Sequence, residues 1–408
     1  MKNRKYILLF LFFPALIFPG ERKEFNLSEI ISLGLKNNPQ ILAREQEVKA
    51  KKAAYQASKR LFNPELEFHK GRGKLYESSE KRNTQGLSLI QSFENPLKRK
   101  YRIQMYENDL LATEYLFNFS KLEVIFEIKY LFYKILLLKK REELAQKTLN
   151  SITNIHQLIV KKAKLGEVKE LEAIKLNVET LKAQNELNKI ETELKLAREN
   201  LNKSLGNSLP PDFSVQGILD YKPLILEEKS LLQKACISHP LIKRKEKERE
   251  YAKSNIDYIK WQRLPDPKLS GFIHEELDGQ NKGIGISFEI PLWNFKSKEI
   301  AEAESLFLRQ SEELKGLRME LTTEVKTKLS QLRLSEQTIK LFHKGLLKQA
   351  EESLKISEVS YKQGEISLID YLDSQRTYYS ILKDYQDSLY AWNADRASLE
   401  KTIGEDLK

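Results

Sequence analysis

The sequence predicts a mainly α-helical fold with a small β part, in which a long helical hairpin occurs twice. The segment Lys-Leu-Gly-Glu at 164–167 returns 198 residues later as Lys-Gln-Gly-Glu at 362–365. Long stretches almost without proline or glycine precede both segments, as expected of helices. Before each stretch, apolar and polar residues alternate in two short runs, as in strands. The period is far longer than the roughly 20–50 residues of a solenoid repeat, so the chain holds two copies of one large unit.

The N-terminus has the order of a secretory signal peptide. Lys2, Arg4 and Lys5 precede an apolar run at 6–18, and a glycine follows at position 20. A basic segment, a short apolar core and a small-residue exit are typical of such peptides. A membrane anchor is the alternative, but the run is shorter than the roughly 20 residues that cross a bilayer. We expect a signal peptide at 1–20 and an exported mature chain.

Composition argues against an enzyme, a metalloprotein or a nucleic-acid-binding protein. Cys236 is the only cysteine, so no internal disulfide can form, and the five histidines are scattered. No nucleophile–base pair, metal cluster or phosphate loop stands out. The net charge of +11 is spread through both halves, with lysine and glutamate alternating, which is typical of solvated helices. We therefore expect no catalytic residue, no bound metal or cofactor, and no nucleic-acid partner.

Each copy begins with two helices and continues with a β-hairpin. In the first copy, a short amphipathic segment at 27–36 precedes a helix that starts at Pro39, because proline suits the first helical position. Pro64 ends this helix, and alternation of apolar and polar residues predicts a β-hairpin at about 65–94. The second copy repeats this order at 226–238, Pro240, Pro265 and about 267–292.

Long helical hairpins complete both copies, at 97–205 and 295–403. At 1.5 Å per residue, the combined length of the return helix and the helix before the strands matches the length of the long helix, which is roughly 90–100 Å. We expect one continuous helix beside a spliced one, with the splice where Pro39 or Pro240 meets the Leu-Gly end of the return helix. The predicted domains are a first repeat at 21–206, a linker at 207–225 and a second repeat at 226–404.

The strands, rather than the helices, are expected to meet lipid. The apolar stretch at 116–138 carries five charged residues, and each costs roughly 2.5–3.5 kcal/mol at mid-bilayer, so insertion is unfavourable. A spanning barrel must close, and four strands are too few because the smallest packed barrels have about eight. Three chains would supply twelve strands. The alternative is a soluble coiled-coil rod with ordinary half-buried hairpins.

Several motifs resemble those of the TolC-like outer-membrane efflux family, over nearly the whole mature chain. Asn-Asn-Pro at 37–39 ends the first helix, Phe-Asn-Pro-Glu-Leu at 62–66 opens the first strand, and Asn-Pro-Leu-Lys-Arg at 95–99 follows the second. The strongest match joins Tyr361 and Gly364 to Asp-Tyr-Leu-Asp at 370–373, which is similar to the family's second hairpin tip. The first-strand start and the Pro-Leu-Lys-Arg exit lean towards the family's metal-efflux branch.

The resemblance implies a homotrimer, in which long helical hairpins form a periplasmic α-barrel below a twelve-stranded transmembrane β-barrel. Such a protein is a passive export channel in outer-membrane lipid, without catalysis, docked to a periplasmic adaptor (membrane fusion) protein and an inner-membrane efflux pump. The adaptor contacts map onto the two tips: Lys164, Leu165, Gly166, Glu167, Lys362, Gln363, Gly364 and Glu365. The alternative function is that of a periplasmic coiled-coil adaptor or structural protein.

The resemblance also implies a gate near the second tip. The family's entrance aspartates map onto Asp370 and Asp373, and the tyrosine that holds its tips together maps onto Tyr361. The acidic partner is here Glu172 instead of aspartate, and Ile366 stands where relatives often have arginine. Spacing alone favours simple helix caps for the two aspartates. The resemblance favours a pore-facing ring that attracts cations.

Two histidines, His69 and His274, fall in the predicted strands. They could line the barrel lumen and touch passing metal, although pore-exposed polar residues without a further role are the simpler interpretation. Cys236 is expected to be a small packing residue.

Overall fold

The computed structural model describes residues 24–75 and 80–407. The predicted signal peptide at 1–20 lies outside the described residues. In the first copy the elements are β1 (Glu24–Phe25), α1 (Leu27–Asn37), α2 (Pro39–Ser58), β2 (Glu65–Lys74), β3 (Lys81–Ser92), α3 (Pro96–Lys164) and α4 (Glu170–Ser204).

The second copy repeats this order. Its elements are β4 (Ser214–Val215), α5 (Glu228–Ser238), α6 (Pro240–Trp261), β5 (Lys268–Glu275), β6 (Gln280–Ser287), α7 (Ser297–Leu341), a π-helical turn (Phe342–Leu346), α8 (Leu347–Gln363) and α9 (Leu368–Ile403). The predicted fold class, mainly helical with a small β part, is confirmed.

The long helix of the second copy is interrupted, whereas α3 of the first is not. The sequence pattern predicts one helix from about residue 295 to the tip, and α7 begins at Ser297. Lys296 has a φ of 57° and its backbone N–H donates to Asn294 Oδ1 at 2.8 Å, so a turn precedes the helix. Gly345 has a φ of 132°, which glycine adopts without steric cost and which produces the π-helical turn.

A capping side chain joins the two helices at each splice. Asn38 Oδ1 accepts hydrogen bonds from the first turn of α2, and its Nδ2 donates to the Ser204 carbonyl at the end of α4 at 2.8 Å. In the second copy, His239 Nδ1 accepts from the Leu241 N–H at 3.2 Å, and its Nε2 lies 3.4 Å from the Lys401 carbonyl oxygen. These contacts confirm the predicted position of the splice in both copies.

The four long strands form one antiparallel sheet in the order β2-β3-β5-β6. Leu87 of the first copy lies opposite Ile273 of the second, so the sheet joins both copies and has β2 and β6 as its edges. Leu87 and Leu89 are 47% and 54% exposed, whereas Gly86 and Ser88 are buried. One face of the sheet is therefore apolar and exposed, and the other is mainly polar, with Gly86 and Ser88 of the central strand β3 buried on it.

One apolar cluster in each copy holds the helices of that copy side by side. Ile128 and Leu201 are completely buried in the first cluster, and Val325 and Leu399 in the second. Each such side chain stabilises the fold by about 1.5–3 kcal/mol relative to an exposed one. None of the described helices combines enough length and apolar character to traverse a bilayer.

Ion pairs join the long helices of the two copies above the tips. Lys129 Nζ of α3 lies 2.7 Å from both Glu400 Oε2 and Asp406 Oδ1. Burial opposes the charge of Lys129, but hydrogen bonds to these two carboxylates outweigh it and raise the pKa of Lys129. Arg141 of α3 pairs in the same way with Asp387 of α9. The two hairpins are therefore linked along their length.

Candidate functional site

The first tip is a compact turn at Gly166, between α3 and α4. Gly166 has a φ of 75°, in the left-handed region that favours glycine. The Glu167 N–H donates to the Lys162 carbonyl at 3.0 Å and closes the end of α3. Lys164 and Glu167 are exposed, and Leu165 is 75% exposed. All four residues predicted to dock at this tip are accessible.

The second tip has the same form at Gly364, whose φ is 79°. The Glu365 N–H donates to the Ser360 carbonyl at 2.9 Å, and Ser360 Oγ donates to Glu365 Oε2 at 2.9 Å. Lys362 forms an ion pair with Glu358 at 2.7 Å within α8. Lys362, Gly364 and Glu365, with Gln363 between them, are exposed as at the first tip.

The two predicted gate aspartates lie at the start of α9. Asp370 and Ser367 form a capping box, in which the Ser367 N–H donates to Asp370 Oδ2 at 3.1 Å. Asp373 Oδ1 lies 3.2 Å from Arg376 Nη1, one turn further along the helix. Both carboxylates are exposed. The capping interpretation is therefore realised for Asp370, and it is compatible with a role at a pore because the carboxylate remains open to solvent.

Tyr361 and Glu172, from different hairpins, lie near each other. The Tyr361 ring stacks on Tyr371, with centroids 5.3 Å apart and an interplanar angle of 9°. Burial raises the pKa of the Tyr361 hydroxyl, and the nearby Glu172 carboxylate raises it further. No hydrogen bond joins the two side chains in the part of the chain that the structure describes. Tyr361 and Glu172 are therefore close together but not hydrogen-bonded to each other.

An apolar cluster lies behind this contact and joins both tips. Its buried members come from α3, α4 and α9, and they are Ile159, Leu176, Leu368 and Tyr371. Ile366 packs against the cluster, at the position where relatives often have arginine. In this chain the position therefore contributes apolar contact instead of a charged hydrogen-bond donor.

Polar contacts between the hairpins, which the sequence did not reveal, lie just beyond this cluster. Arg376 Nη2 of α9 lies 2.9 Å from Glu179 Oε1 of α4, and Gln375 Nε2 donates to Ser151 Oγ of α3 at 2.8 Å. Burial opposes the charge of Glu179, but hydrogen bonds from Lys182 and Arg376 hold its pKa below the usual range. Residues that meet across two hairpins share no sequence spacing, so no pattern could have identified them.

A groove of about 540 Å³ runs between α4 and α9 beside these contacts. Exposed aliphatic side chains on its α4 side, Leu171 and Ile174, are each 56% exposed. Four lysines surround the first tip and form no ion pair within the described residues: Lys161, Lys162, Lys164 and Lys169. The surface near the first tip thus combines apolar contact area with positive charge.

His69 and His274 both lie on the polar face of the sheet, with ring centroids 6.3 Å apart. Across the described residues, no group of three or more histidine, cysteine, aspartate or glutamate side chains is arranged to hold a metal ion. Cys236 lies half-buried between helices, with its Sγ 3.5 Å from Thr322 Oγ1.

Comparison with known proteins agrees with this arrangement. The family model described as outer membrane efflux protein matches residues 30–207 and 231–405. The cobalt-zinc-cadmium resistance protein CzcC of Cupriavidus metallidurans is 22% identical over 392 residues, covering 95% of this chain and 92% of that protein.

Solved structures share the fold. The outer membrane protein VceC of Vibrio cholerae matches with a TM-score of 0.78 at 17% identity, over 94% of this chain and 97% of that chain. The MtrE outer membrane channel of Neisseria gonorrhoeae, in its open state, matches with a TM-score of 0.78 at 16% identity, over 94% and 89%. Because the family model spans both repeats, this chain belongs to the outer membrane efflux protein family and is an export channel of the outer membrane that extends into the periplasm.

Proposed function

We propose that three copies of the chain close into one channel, with a twelve-stranded β-barrel in the outer membrane and a helical tube below it. The order β2-β3-β5-β6, with two free edges, carries this proposal. An open edge would leave unpaired amides in lipid, and four strands are too few to close alone. In the trimer, β6 of one chain pairs with β2 of the next chain. The apolar face of the sheet then meets lipid and the polar face lines the lumen.

The helices support the same assembly. Exposed apolar residues recur along α4 at intervals of three and four, which is the spacing of a helix–helix seam. They are Leu171, Ile174, Val178 and Leu181. In the proposed trimer this stripe packs against exposed apolar residues of α7 and α8 in the neighbouring chain, including Leu334 and Ile356.

The tips are the proposed docking site for a periplasmic adaptor, which connects the channel to an inner-membrane pump. Compact turns at Gly166 and Gly364 allow close approach of partner helices. The unpaired lysines at the first tip favour an adaptor surface that carries carboxylates, because opposite charges steer association. The channel itself is passive in this proposal, and the pump supplies the energy.

The proposed gate comprises Tyr361, Glu172, Asp370 and Asp373. Apolar packing at the tips, with the contact between Arg376 and Glu179, keeps the two hairpins together, and the exposed aspartates give the entrance a preference for cations. Divalent metal cations are the proposed cargo, in line with the name of the relative CzcC and with an acidic entrance.

Purification in detergent, followed by light scattering and planar-bilayer recording, tests the assembly. We expect a mass of three chains and discrete conductance steps. A monomer without conductance would contradict the proposal. Carbonate washing separates the channel from the alternative of a periplasmic coiled-coil adaptor, since a closed barrel stays in the membrane fraction whereas an adaptor is released.

A further inference from the structure

We infer that His69 and His274 form a transient binding site for a divalent transition-metal ion on the polar face of the sheet. This inference rests on the proposed function, because the polar face is the lumen only if the barrel closes. It assigns a role to two of the chain's five histidines that neither the fold nor the tips explain.

Strand register brings the two imidazoles together. His69 of β2 lies opposite Gly86 of β3, and Gly86 lies opposite His274 of β5, so the three residues form one row across the sheet. Neighbouring strands are about 4.8 Å apart, and the two histidine backbones are therefore about 10 Å apart. Their ring centroids are only 6.3 Å apart, at an angle of 86°. Both side chains lean over the glycine.

Gly86 provides the space for this approach. A Cβ atom at position 86 would lie 2.6 Å from His274 Cδ2, which is closer than any real contact. Any other residue would push the His274 ring away from His69. The glycine here is therefore explained by the neighbouring ring and not by backbone conformation.

Oxygen atoms of suitable chemistry surround the pair. Glu67 Oε2, on the same face of β2, lies 3.4 Å from His69 Nε2, and Ser88 Oγ lies 3.2 Å from His274 Nε2. An open cleft of about 370 Å³ adjoins both rings and is also bordered by Glu275. Imidazole and carboxylate together suit Zn²⁺, Cu²⁺, Ni²⁺ and Co²⁺, whereas Mg²⁺ and Ca²⁺ prefer oxygen ligands alone.

The geometry fits weak binding. Two imidazoles that share one tetrahedral ion, at metal–nitrogen distances of about 2.1 Å, have centroids about 5 Å apart. The rings must therefore approach by about 1 Å, which side-chain rotation permits because the His69 side chain is 65% exposed. The two imidazole nitrogens leave the remaining coordination positions to water, because no third such side chain is arranged with them among the described residues. Such an open site releases its ion readily, as conduction through a pore requires.

Cu²⁺ titration of the detergent-solubilised protein, followed by electron paramagnetic resonance, tests the site. We expect one Cu²⁺ per chain with coupling to two nitrogens. His69→Ala and His274→Ala should each remove one nitrogen and weaken binding about tenfold or more. Gly86→Ala should weaken it as well by separating the rings. His156→Ala and His343→Ala are matched controls, since both histidines lie in helices far along the chain from the strands.

Unchanged copper stoichiometry and nitrogen coupling in the His69→Ala/His274→Ala variant would overturn the inference, as would the absence of binding to the wild type. Trimer mass and metal-free conductance report on the proposed channel independently of copper. A variant that conducts normally but binds no copper supports the site. A wild-type channel that conducts but does not bind copper contradicts the proposed site and does not affect the proposed channel function.

Discussion

Tyr361 combines two interactions that a single substitution can separate. Its ring stacks on Tyr371 inside the tip cluster, whereas its hydroxyl lies near the Glu172 carboxylate. Phenylalanine keeps the ring and removes only the hydroxyl. The contribution of the hydroxyl to closure can therefore be measured without disturbing the apolar packing.

We expect Tyr361→Phe to raise the leak conductance of the reconstituted channel, because it removes the hydroxyl that the proposed gate places beside the Glu172 carboxylate. Glu172→Gln should act in the same direction, and the double variant should add little, since both substitutions remove one interaction. Tyr251→Phe, on α6 away from the tips, is the control. Conductance equal to that of the wild type in both single variants would remove this pair from the gate and leave the fold unaffected.

The two aspartates of the proposed gate, Asp370 and Asp373, lead to a prediction about selectivity. Asparagine can still accept the hydrogen bond of the capping box, so Asp370→Asn with Asp373→Asn removes charge with little loss of helix stability. We expect reversal potentials in a salt gradient to move towards zero, because fewer carboxylates concentrate cations at the mouth. Asp212→Asn, in the linker, is the control. An unchanged reversal potential would contradict the pore-facing ring.

At the residue scale, the sequence identified the turn glycines of both tips, Gly166 and Gly364, because they lie in local motifs. It placed Tyr361 beside the first tip through resemblance alone. It missed the contact between Arg376 and Glu179, and it could not see that Gly86 separates two histidines. Both depend on how distant segments pair, and this information is absent from local spacing.

At the scale of the element, the two splices use different side chains for the same task. Asn38 and His239 each cap a helix that begins with proline and each face the end of a return helix. Burial lowers the pKa of His239; the Lys401 charge adds to this, while the hydrogen bond to the Lys401 carbonyl and the Glu324 charge oppose it. The capping side chain of the second splice can therefore take up a proton in acid, whereas Asn38 cannot.

The folded protein favours the neutral form of His239. Below pH 6.5, the usual pKa of histidine, the unfolded chain therefore binds more protons than the folded protein. Stability should consequently decrease as the pH falls below 6.5 towards the lower pKa of the folded state. We expect His239→Asn to reduce this pH dependence of stability, measured by thermal unfolding. At neutral pH the substitution should change stability little, because asparagine makes the equivalent capping contacts at the first splice. His343→Asn, at an exposed position, should leave the dependence unchanged. An identical pH profile for His239→Asn would contradict the prediction.

Two glycines in the second long hairpin look alike in sequence but differ in structure. Gly316 lies within α7 at an exposed position with a negative φ, whereas Gly345 has a φ of 132° in the π-helical turn. The sequence predicted a continuous helix through both, because no local pattern distinguishes a glycine that breaks the helix from one that does not. The backbone conformation of Gly345 distinguishes the two glycines, and it becomes visible only in the folded chain.

These glycines predict opposite effects of alanine. Gly316→Ala should raise the free energy of unfolding by about 0.5–1 kcal/mol, because alanine is the better helix former and finds open space there. Gly345→Ala should lower it by about 1–3 kcal/mol, because a side chain is strained at positive φ. Denaturant unfolding of the two variants measures both effects. Stabilisation by Gly345→Ala would indicate that the π-helical turn straightens at no cost.

At the scale of the whole molecule, the two faces of the sheet differ in polarity, and in the proposed barrel the apolar face meets lipid. Ile286, on the apolar face, is 66% exposed in the single chain, and its neighbour Ser287 points to the opposite face. A lysine facing lipid near the bilayer centre costs about 2–4 kcal/mol, whereas a lumen position tolerates it. The two adjacent residues therefore provide a matched comparison.

We expect Ile286→Lys to reduce the amount of assembled channel in the outer membrane, and Ser287→Lys to leave it close to wild type. The fraction that migrates as a heat-labile oligomer in gel electrophoresis measures assembly. If Ser287→Lys assembles less well than Ile286→Lys, the lipid-facing and lumen-facing sides of the sheet are assigned the wrong way round.

The strand order also has a genetic consequence. The two edge strands of a chain, β2 and β6, each need a neighbour from another chain, so a subunit with one damaged edge strand leaves at least one of the three seams of the proposed ring unsealed. A cell that makes normal and defective chains in equal amounts would retain only about one in eight rings built entirely of normal chains. Alleles that damage either outer strand without blocking export should therefore be dominant over the wild type.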